Sequence, residues 1–317
     1  MSHGNSAAGD ARAVQRSQES ADLSRRVAVV TGAAAGLGRA EAIGLARSGA
    51  TVVVNDIDSA LKNSDVVDEV GAAGGMAVAV PGDVTERATA DRLLAAAAEQ
   101  GGLDIVVNNA GITRDKMLFN MTDEDWDLVI NVHLRGHFLL TRNAAAYWRS
   151  KAKESGGQVY GRLVNTSSEA GLSGPVGQAN YGAAKAGIIA LTLSAARALH
   201  RYGVCANAIC PRARTAMTAE VFGDAPDPSD VDIDPLSPEH VVTLVRFLAS
   251  PAAEAVNGQV FIVYGPTVTL LSAPSVEQRF TAETAAWEPA DLSTAIRKYF
   301  ADRDPDVSFA ATRVLQS

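Results

Sequence analysis

Three side chains could do chemistry together: Ser168, Tyr181 and Lys185, spaced along Ser-Glu-Ala-Gly-Leu-Ser-Gly-Pro-Val-Gly-Gln-Ala-Asn-Tyr-Gly-Ala-Ala-Lys. If Tyr181 opens a helix, Lys185 lies one turn further along the same face. A phenol loses its proton near about pH 10, and an ammonium held beside it favours the phenolate and lowers that value. Tyr181 then becomes a general base at neutral pH. Ser168 follows the apolar run Arg162-Leu-Val-Asn165, which reads as a strand ending at the site, so its hydroxyl can hydrogen-bond the reacting oxygen.

The elements that must position these groups begin with Arg26-Val-Ala-Val-Val30, a continuous apolar run suited to a strand covered on both faces. Next come Thr31-Gly-Ala-Ala-Ala-Gly-Leu-Gly38 and the helix-forming residues 39–48. Gly32, Gly36 and Gly38 permit a tight turn and close backbone approach, and the helix N-terminus favours a pyrophosphate. A dinucleotide site is predicted there. A second strand, Thr51-Val-Val-Val-Asn-Asp56, ends in a carboxylate that can accept hydrogen bonds from the adenosine ribose and would repel a 2′-phosphate. NAD is therefore expected, with NADP as the alternative because Arg39 stands close in sequence.

Further along, a polar helix is expected around residues 60–72, a third strand over Met76–Val80 and a fourth over Asp104–Val107. Asp83 suits an N-cap for the alanine-rich segment 86–99. A long amphipathic helix is expected over Glu124–Lys151, carrying His133 and His137 four residues apart; no third ligand stands near them in sequence, so no metal is expected. Tyr181–His200 is expected to form a helix, Val204–Ile209 a strand, and Gln259–Val263 the last strand. Glu288-Pro289-Ala-Asp291 signals a final helix to about Ala301.

Composition bounds the function. The chain has 317 residues, 47% hydrophobic and 20% charged, enough for one large core. A net charge of -8 argues against a general nucleic-acid or anionic-membrane surface. Cys205 and Cys210 have neither metal-type spacing nor a disulfide framework. Residues 1–24 read as a flexible leader without a secretory core, and no apolar run approaches a membrane span, so the expected location is cytoplasmic.

The spacing of Ser168, Tyr181 and Lys185, the glycine pattern G-x-x-x-G-x-G and Asn108-Asn-Ala-Gly111 together resemble the short-chain dehydrogenase/reductase family over residues 25–266. The resemblance implies an α/β fold with a single doubly wound parallel sheet (Rossmann) and a C-terminal extension. It adds Asn131 to Ser168, Tyr181 and Lys185 as a catalytic tetrad, with the asparagine at a helix irregularity and holding a water linked to the lysine. It implies cofactor contacts from Gly32, Gly36, Leu37 and Gly38, and from Asp56. Asp83 and Val84 would lie beside the adenine, Asn109 would be mainly structural beneath the cofactor, and Tyr181, Lys185 and Thr215 would meet its nicotinamide half.

Details narrow the resemblance. Val-Val-Val-Asn-Asp at the second strand, Asp125-Trp-Asp with Val132-His-Leu-Arg-Gly136, Gly177-Gln-Ala-Asn-Tyr181, and Cys210-Pro-Arg-Ala where relatives usually carry Pro-Gly are similar to the dehydrogenase unit of multifunctional enzyme type 2. They are also similar to its stand-alone bacterial counterparts linked to steroid degradation. The implied activity is NAD-dependent oxidation of a (3R)-hydroxyacyl-CoA, of a steroid 17β-hydroxyl, or of both. The implied assembly is a homodimer or homotetramer, with residues 267–317 closing over the substrate cavity. Arg114, Lys116, Arg212 and Arg214 are candidate partners for the phosphates of CoA. The acidic, proline-rich stretch from Glu220 to Asp234 occupies the position of the family's substrate lid. An NADPH-dependent 3-oxoacyl carrier-protein reductase is the rival within the family, and a non-catalytic nucleotide-sensing module the rival outside it.

Overall fold

The computed structural model of the protein describes residues 22–218, 222–223, 226, 233–301, 303–304 and 307–310. Eight strands form one sheet: β1 (Val27–Thr31), β2 (Thr51–Asn55), β3 (Met76–Ala79), β4 (Ile105–Asn108), β5 (Gly161–Thr166), β6 (Val204–Pro211), β7 (Val260–Tyr264) and β8 (Thr267–Leu270). Their spatial order is β3-β2-β1-β4-β5-β6-β7-β8. The first seven are parallel, and β8 turns back antiparallel on β7. Parallel strands need crossovers that cover both faces, which is why β1, β4 and β5 are buried end to end. Strands β1 and β4 are mostly apolar, while the polar Arg162 and Asn165 of β5 are buried with hydrogen-bond partners.

The helices are α1 (Gly36–Arg47), α2 (Asp58–Lys62), α3 (Val66–Ala72), α4 (Arg87–Glu99), α5 (Asp123–Ile130), α6 (Gly136–Ser155), α7 (Ala170–Ser173), α8 (Ala179–Leu199), α9 (Pro238–Ala249) and α10 (Pro289–Ala301). Side-chain alternation along the strands feeds two separate cores. Ala28 and Val30 join Leu45, Val70 and Leu248 under α1, α3 and α9. Val27 and Val29 join Leu93, Leu140, Trp148 and Leu199 under α4, α6 and α8. The chain is thus a doubly wound three-layer sandwich. Helix α8 has the length and apolar composition of a membrane span, but nearly half of its apolar window is buried inside the protein.

Several expected boundaries move. Leu23 is fully buried and its N–H donates to the Ser48 carbonyl, so the body of the fold begins inside the expected leader. The helix expected over 60–72 is two short helices, α2 and α3. The helix expected over 124–151 is broken by a π-helical turn, Asn131–Arg135. Asp83 does not cap α4, whose N-cap is Glu86; its carboxylate accepts from the Thr85 N–H instead. The sheet runs past the expected end at 266 through β8, and residues 271–317 form a second unit. Within that unit, α10 holds Tyr299, whose hydroxyl donates to Glu277, and Arg303 pairs with the same carboxylate.

One buried group is unusual. Glu41, in α1, is fully buried, and neither carboxylate oxygen has a hydrogen-bond partner among the described residues. Burial alone pushes its pKa up to about 8. Between pH 4.5 and about 8 the unfolded chain has released a proton that the folded chain still holds, so stability falls as pH rises through that window. Glu41→Met should therefore flatten the decline in melting temperature between pH 5 and pH 8 and stabilise the protein at the upper end. Parallel melting curves for the two proteins across that range would show that the carboxylate is not neutral in the fold.

Candidate active site

The strand order reverses between β1 and β4, and the crevice above their carboxyl ends is where an open α/β sheet binds ligands. A cavity of about 390 Å³ opens there. Gly32, Gly36 and Leu37 line its first edge, Asp56, Asp83 and Val84 its second, and Asn109, Ser168, Tyr181, Lys185 and Thr215 the remainder. The glycine loop explains how the backbone can come so close. Gly32 has φ +67°, and a Cβ there would meet the Ala110 Cα at 2.8 Å. Gly38 lies behind the cavity wall, where a Cβ would sit 2.3 Å from the Gly32 carbonyl oxygen, so it allows the helix to close on the loop without itself lining the cavity.

These residues fit a nicotinamide dinucleotide. The N-cap of α1, Ala35, offers no side chain to the first turn, which leaves backbone N–H groups for a pyrophosphate. Asp56 accepts from the Ala34 N–H at 3.1 Å and from the Ile57 N–H at 2.8 Å, which fixes the carboxylate at the cavity edge. Asn109 donates to the Thr31 carbonyl at 3.2 Å, while the Thr31 hydroxyl accepts from the backbone N–H groups of Asn109 and Ala110. The ends of β1 and β4 are thereby sewn together beneath the cavity.

Tyr181 is the third residue of α8, and Lys185 follows one turn later with its Nζ 5.3 Å from the tyrosine ring centroid. The lysine is 2% exposed and donates to the Thr166 carbonyl at 2.7 Å, at the end of β5. Ser168 lies two residues beyond Thr166; its hydroxyl accepts from the Ala170 N–H at 3.1 Å and its hydrogen bond to Tyr181 pulls the phenol pKa down. Desolvation is stronger. It pushes the Tyr181 phenol up to about 12 and the Lys185 amine down to about 7. The expected lowering of the phenol by its lysine neighbour is thus reversed, because burial penalises each charged form separately. The pair still loses its first proton near neutrality. What remains can be written as phenol plus amine or as phenolate plus ammonium, two arrangements of the same protons.

Asn131 begins the π-helical turn and does not line the cavity, whereas its neighbours Val132 and His133 do. His133 is a buried neutral ring, edge-on to Tyr181 at 5.2 Å, with Nε2 against the Ile112 backbone. Burial and the nearby Lys185 hold its pKa well below the usual value, and the same causes take His137 down to about 3. Among the described residues, no third acidic, histidine or cysteine side chain joins them in a metal-binding group. Cys205 and Cys210 are buried free thiols. Asn180 was noted only as part of a resemblance, yet it is fully buried and ties the site together. It donates to the carbonyls of Arg114 and Asp125 and accepts from the Tyr181 N–H at 2.8 Å.

The four candidate phosphate partners separate. Lys116 pairs with Asp125 at 2.7 Å, Arg212 forks onto Glu169 at 2.6 and 2.7 Å, and Arg214 pairs with Asp234 at 3.0 Å. Arg114 is exposed and donates to the neighbouring Thr113 carbonyl. Of the acidic stretch, Asp234 is described; Glu220, Asp224, Asp227, Asp230 and Asp232 lie outside the described residues.

Comparison with known proteins gives a consistent picture. Residues 26–225 match the family model described as short chain dehydrogenase. The chain is 72% identical over 306 residues to hydroxyacyl-CoA dehydrogenase ChsB1 of Mycobacterium tuberculosis, covering 95% of this chain and 96% of that protein. It is 40% identical over 247 residues to peroxisomal multifunctional enzyme type 2 of Mus musculus, covering 75% of this chain and 31% of that longer protein. A crystal structure of a short chain dehydrogenase from Mycobacterium avium superposes with a TM-score of 0.80 at 43% identity, covering 91% of this chain and 99% of that one.

Holding Lys185 in the cavity costs stability. Its amine is mostly neutral in the fold above about pH 7 but charged in the unfolded chain up to about pH 10.5. The unfolded state therefore binds more protons in that window, stability rises with pH across it, and the cost is largest below about pH 7. Lys185→Met should raise the melting temperature at pH 6 by at least ~2 °C, with the gain shrinking toward pH 10. An equal gain at both pH values would point to improved packing rather than relief of a buried charge.

Proposed function

The chain belongs to the short-chain dehydrogenase family, and from that premise we propose that it oxidises a (3R)-hydroxyacyl-CoA with NAD, Tyr181 acting as the base. The observation that carries this reading is the 72% identity to a hydroxyacyl-CoA dehydrogenase over 95% of the chain. A nicotinamide dinucleotide, when bound, supplies the hydride acceptor. The chain's own residues position the alcohol and move its proton. Ser168 holds the reacting oxygen, and Tyr181 takes the hydroxyl proton from it. Lys185 is the one Lys or Arg among the described residues lining the cavity, so its charged form is what stabilises the phenolate there. Asn131, at the π-helical turn, anchors the water through which the proton leaves.

Two features favour NAD over NADP. Asp56 stands at the cavity edge, where it accepts from ribose hydroxyls and repels a phosphate. Arg39, the nearest candidate for holding a 2′-phosphate, is engaged by Glu69 at 2.5 Å and does not line the cavity. The acyl substrate is supported by exposed apolar side chains on the segments joined by the Lys116–Gln178 bridge: Met117, Leu118, Phe119 and Val176. Arg114, on the same segment, is the basic candidate left for a CoA phosphate. Self-association as a homodimer is part of the same reading, and exposed Leu128, Phe138 and Leu193 are among the apolar side chains such an interface would cover.

Purified protein offered NAD and a (3R)-hydroxyacyl-CoA should produce NADH at least ~10-fold more efficiently than with NADP, and a 17β-hydroxysteroid offered in parallel ranks the two substrate classes. The pH profile of kcat/KM should rise through about pH 7 as the Tyr181–Lys185 pair loses its first proton. Tyr181→Phe should reduce turnover by ~10²-fold or more while NAD still binds. Activity confined to NADPH and a 3-oxoacyl carrier protein would overturn the assignment in favour of a reductase.

A further inference from the structure

Where relatives were expected to carry Pro-Gly after the sixth strand, this chain has Pro211-Arg212, and the arginine is committed to an interaction beside the reacting serine. Its Nε donates to one Glu169 oxygen at 2.7 Å and its Nη2 to the other at 2.6 Å, the planar fork that only arginine can form with a carboxylate. The two side chains are 18% and 14% exposed, so water screens the pair far less than it screens a surface ion pair. Each partner is anchored. The Arg212 N–H donates to the Val263 carbonyl at 2.9 Å, and its guanidinium lies 5.2 Å from the Tyr264 ring centroid. Glu169 is the N-cap residue of α7, and its carbonyl accepts both the N–H and the hydroxyl of Ser173.

The placement gives the pair its meaning. Glu169 is bonded in the chain to Ser168, and Pro211 and Ala213 on either side of Arg212 both line the cavity. The fork therefore joins the wall that carries the serine hydroxyl to the wall that leaves β6. We propose that Arg212 and Glu169 are positioning residues for this reaction: a clamp that sets the Ser168 hydroxyl against the opposite cavity wall, replacing with an ion pair the register that a glycine turn would give. The proposal rests on the dehydrogenase reading above. Neither Arg212 nor Glu169 lines the cavity itself, so the pair acts through the walls it joins, and its loss should appear chiefly in the rate of the chemical step. A displacement of the serine of about 1 Å is enough to cost up to about 10²-fold in rate.

The experiment combines Arg212→Lys, Arg212→Ala, Glu169→Ala, the double alanine variant and the charge reversal Arg212→Glu with Glu169→Arg. Wild-type turnover, measured alongside, tests the dehydrogenase reading separately. With that turnover present, each single variant should lose ~10-fold or more in kcat, Lys included because it keeps the charge but not the fork. The NAD dissociation constant should stay within about two-fold. The double alanine variant should be no worse than the worse single, and the reversed pair should recover part of the loss, since residues acting as one unit are non-additive. Singles within two-fold of wild-type kcat, or additive losses that track the melting temperature, would overturn the clamp. Amide hydrogen exchange over residues 168–173 and 211–215 reads the same contact without any substrate. Arg212→Ala should speed exchange in both segments together, and unchanged exchange would overturn the proposal whatever the substrate proves to be.

Discussion

A basic nitrogen buried in the wall of the crevice is the constraint around which this protein is arranged. Lys185, on α8, is buried against the end of β5, where its Nζ donates to the Thr166 carbonyl. Every neighbour is consistent with that nitrogen being charged part of the time. His133 and His137 stay neutral, since a second cation in the same low-dielectric space would be repelled strongly. Asn108, Thr141, Asn165 and Thr192 satisfy one another across β4, β5, α6 and α8, which pins α8 to the sheet without adding charge. Desolvation thus sets the protonation of the pair, and the same cause makes the buried lysine costly to fold.

The other half of the crevice is governed by close approach rather than charge. Parallel strands on both sides of the β1/β4 reversal leave a gap where backbones must come within van der Waals distance, and Gly32 and Gly38 occupy the points where a side chain would collide. Gly111 extends the same logic into the catalytic half, because a Cβ there would meet the His133 ring at 2.3 Å. The glycine pattern and the histidine are therefore parts of one packing problem. That problem ties the dinucleotide loop to the π-helical turn through the end of β4.

Much of this was legible in the sequence because periodicity and short motifs report local geometry. Unbroken apolar runs predicted the buried parallel strands, and Tyr181 with Lys185 predicted one helix face. Less legible were features that depend on what lies across the fold. The π-helical turn at Asn131–Arg135 leaves no compositional mark, since it adds only about one residue per turn, and the irregularity at Asn131 is expected through the family resemblance alone. The direction of the phenol shift could not be read from the spacing of two residues. It is decided by how much water the surrounding layers exclude, and both groups are buried by elements far away in the chain. Leu23 reads as part of a polar leader, but its burial follows from a hydrogen bond to Ser48 that no local pattern announces.

The four candidate phosphate partners follow the same rule of long-range pairing, and that bears on what they can recognise. Read alone, Arg114, Lys116, Arg212 and Arg214 make a basic rim suited to a polyphosphate ligand. In the fold, three of them are matched by Asp125, Glu169 and Asp234, carboxylates from α5, from the start of α7 and from the segment before α9. A cation already held by a carboxylate offers a phosphate little net attraction, because the incoming anion must displace or share the existing partner. Phosphate recognition by these four residues is then confined to few positions, while residues 117–119 and 176 leave an exposed apolar surface on the segments joined by the Lys116–Gln178 bridge. Discrimination among ligands by such a surface depends on apolar fit more than on summed charge.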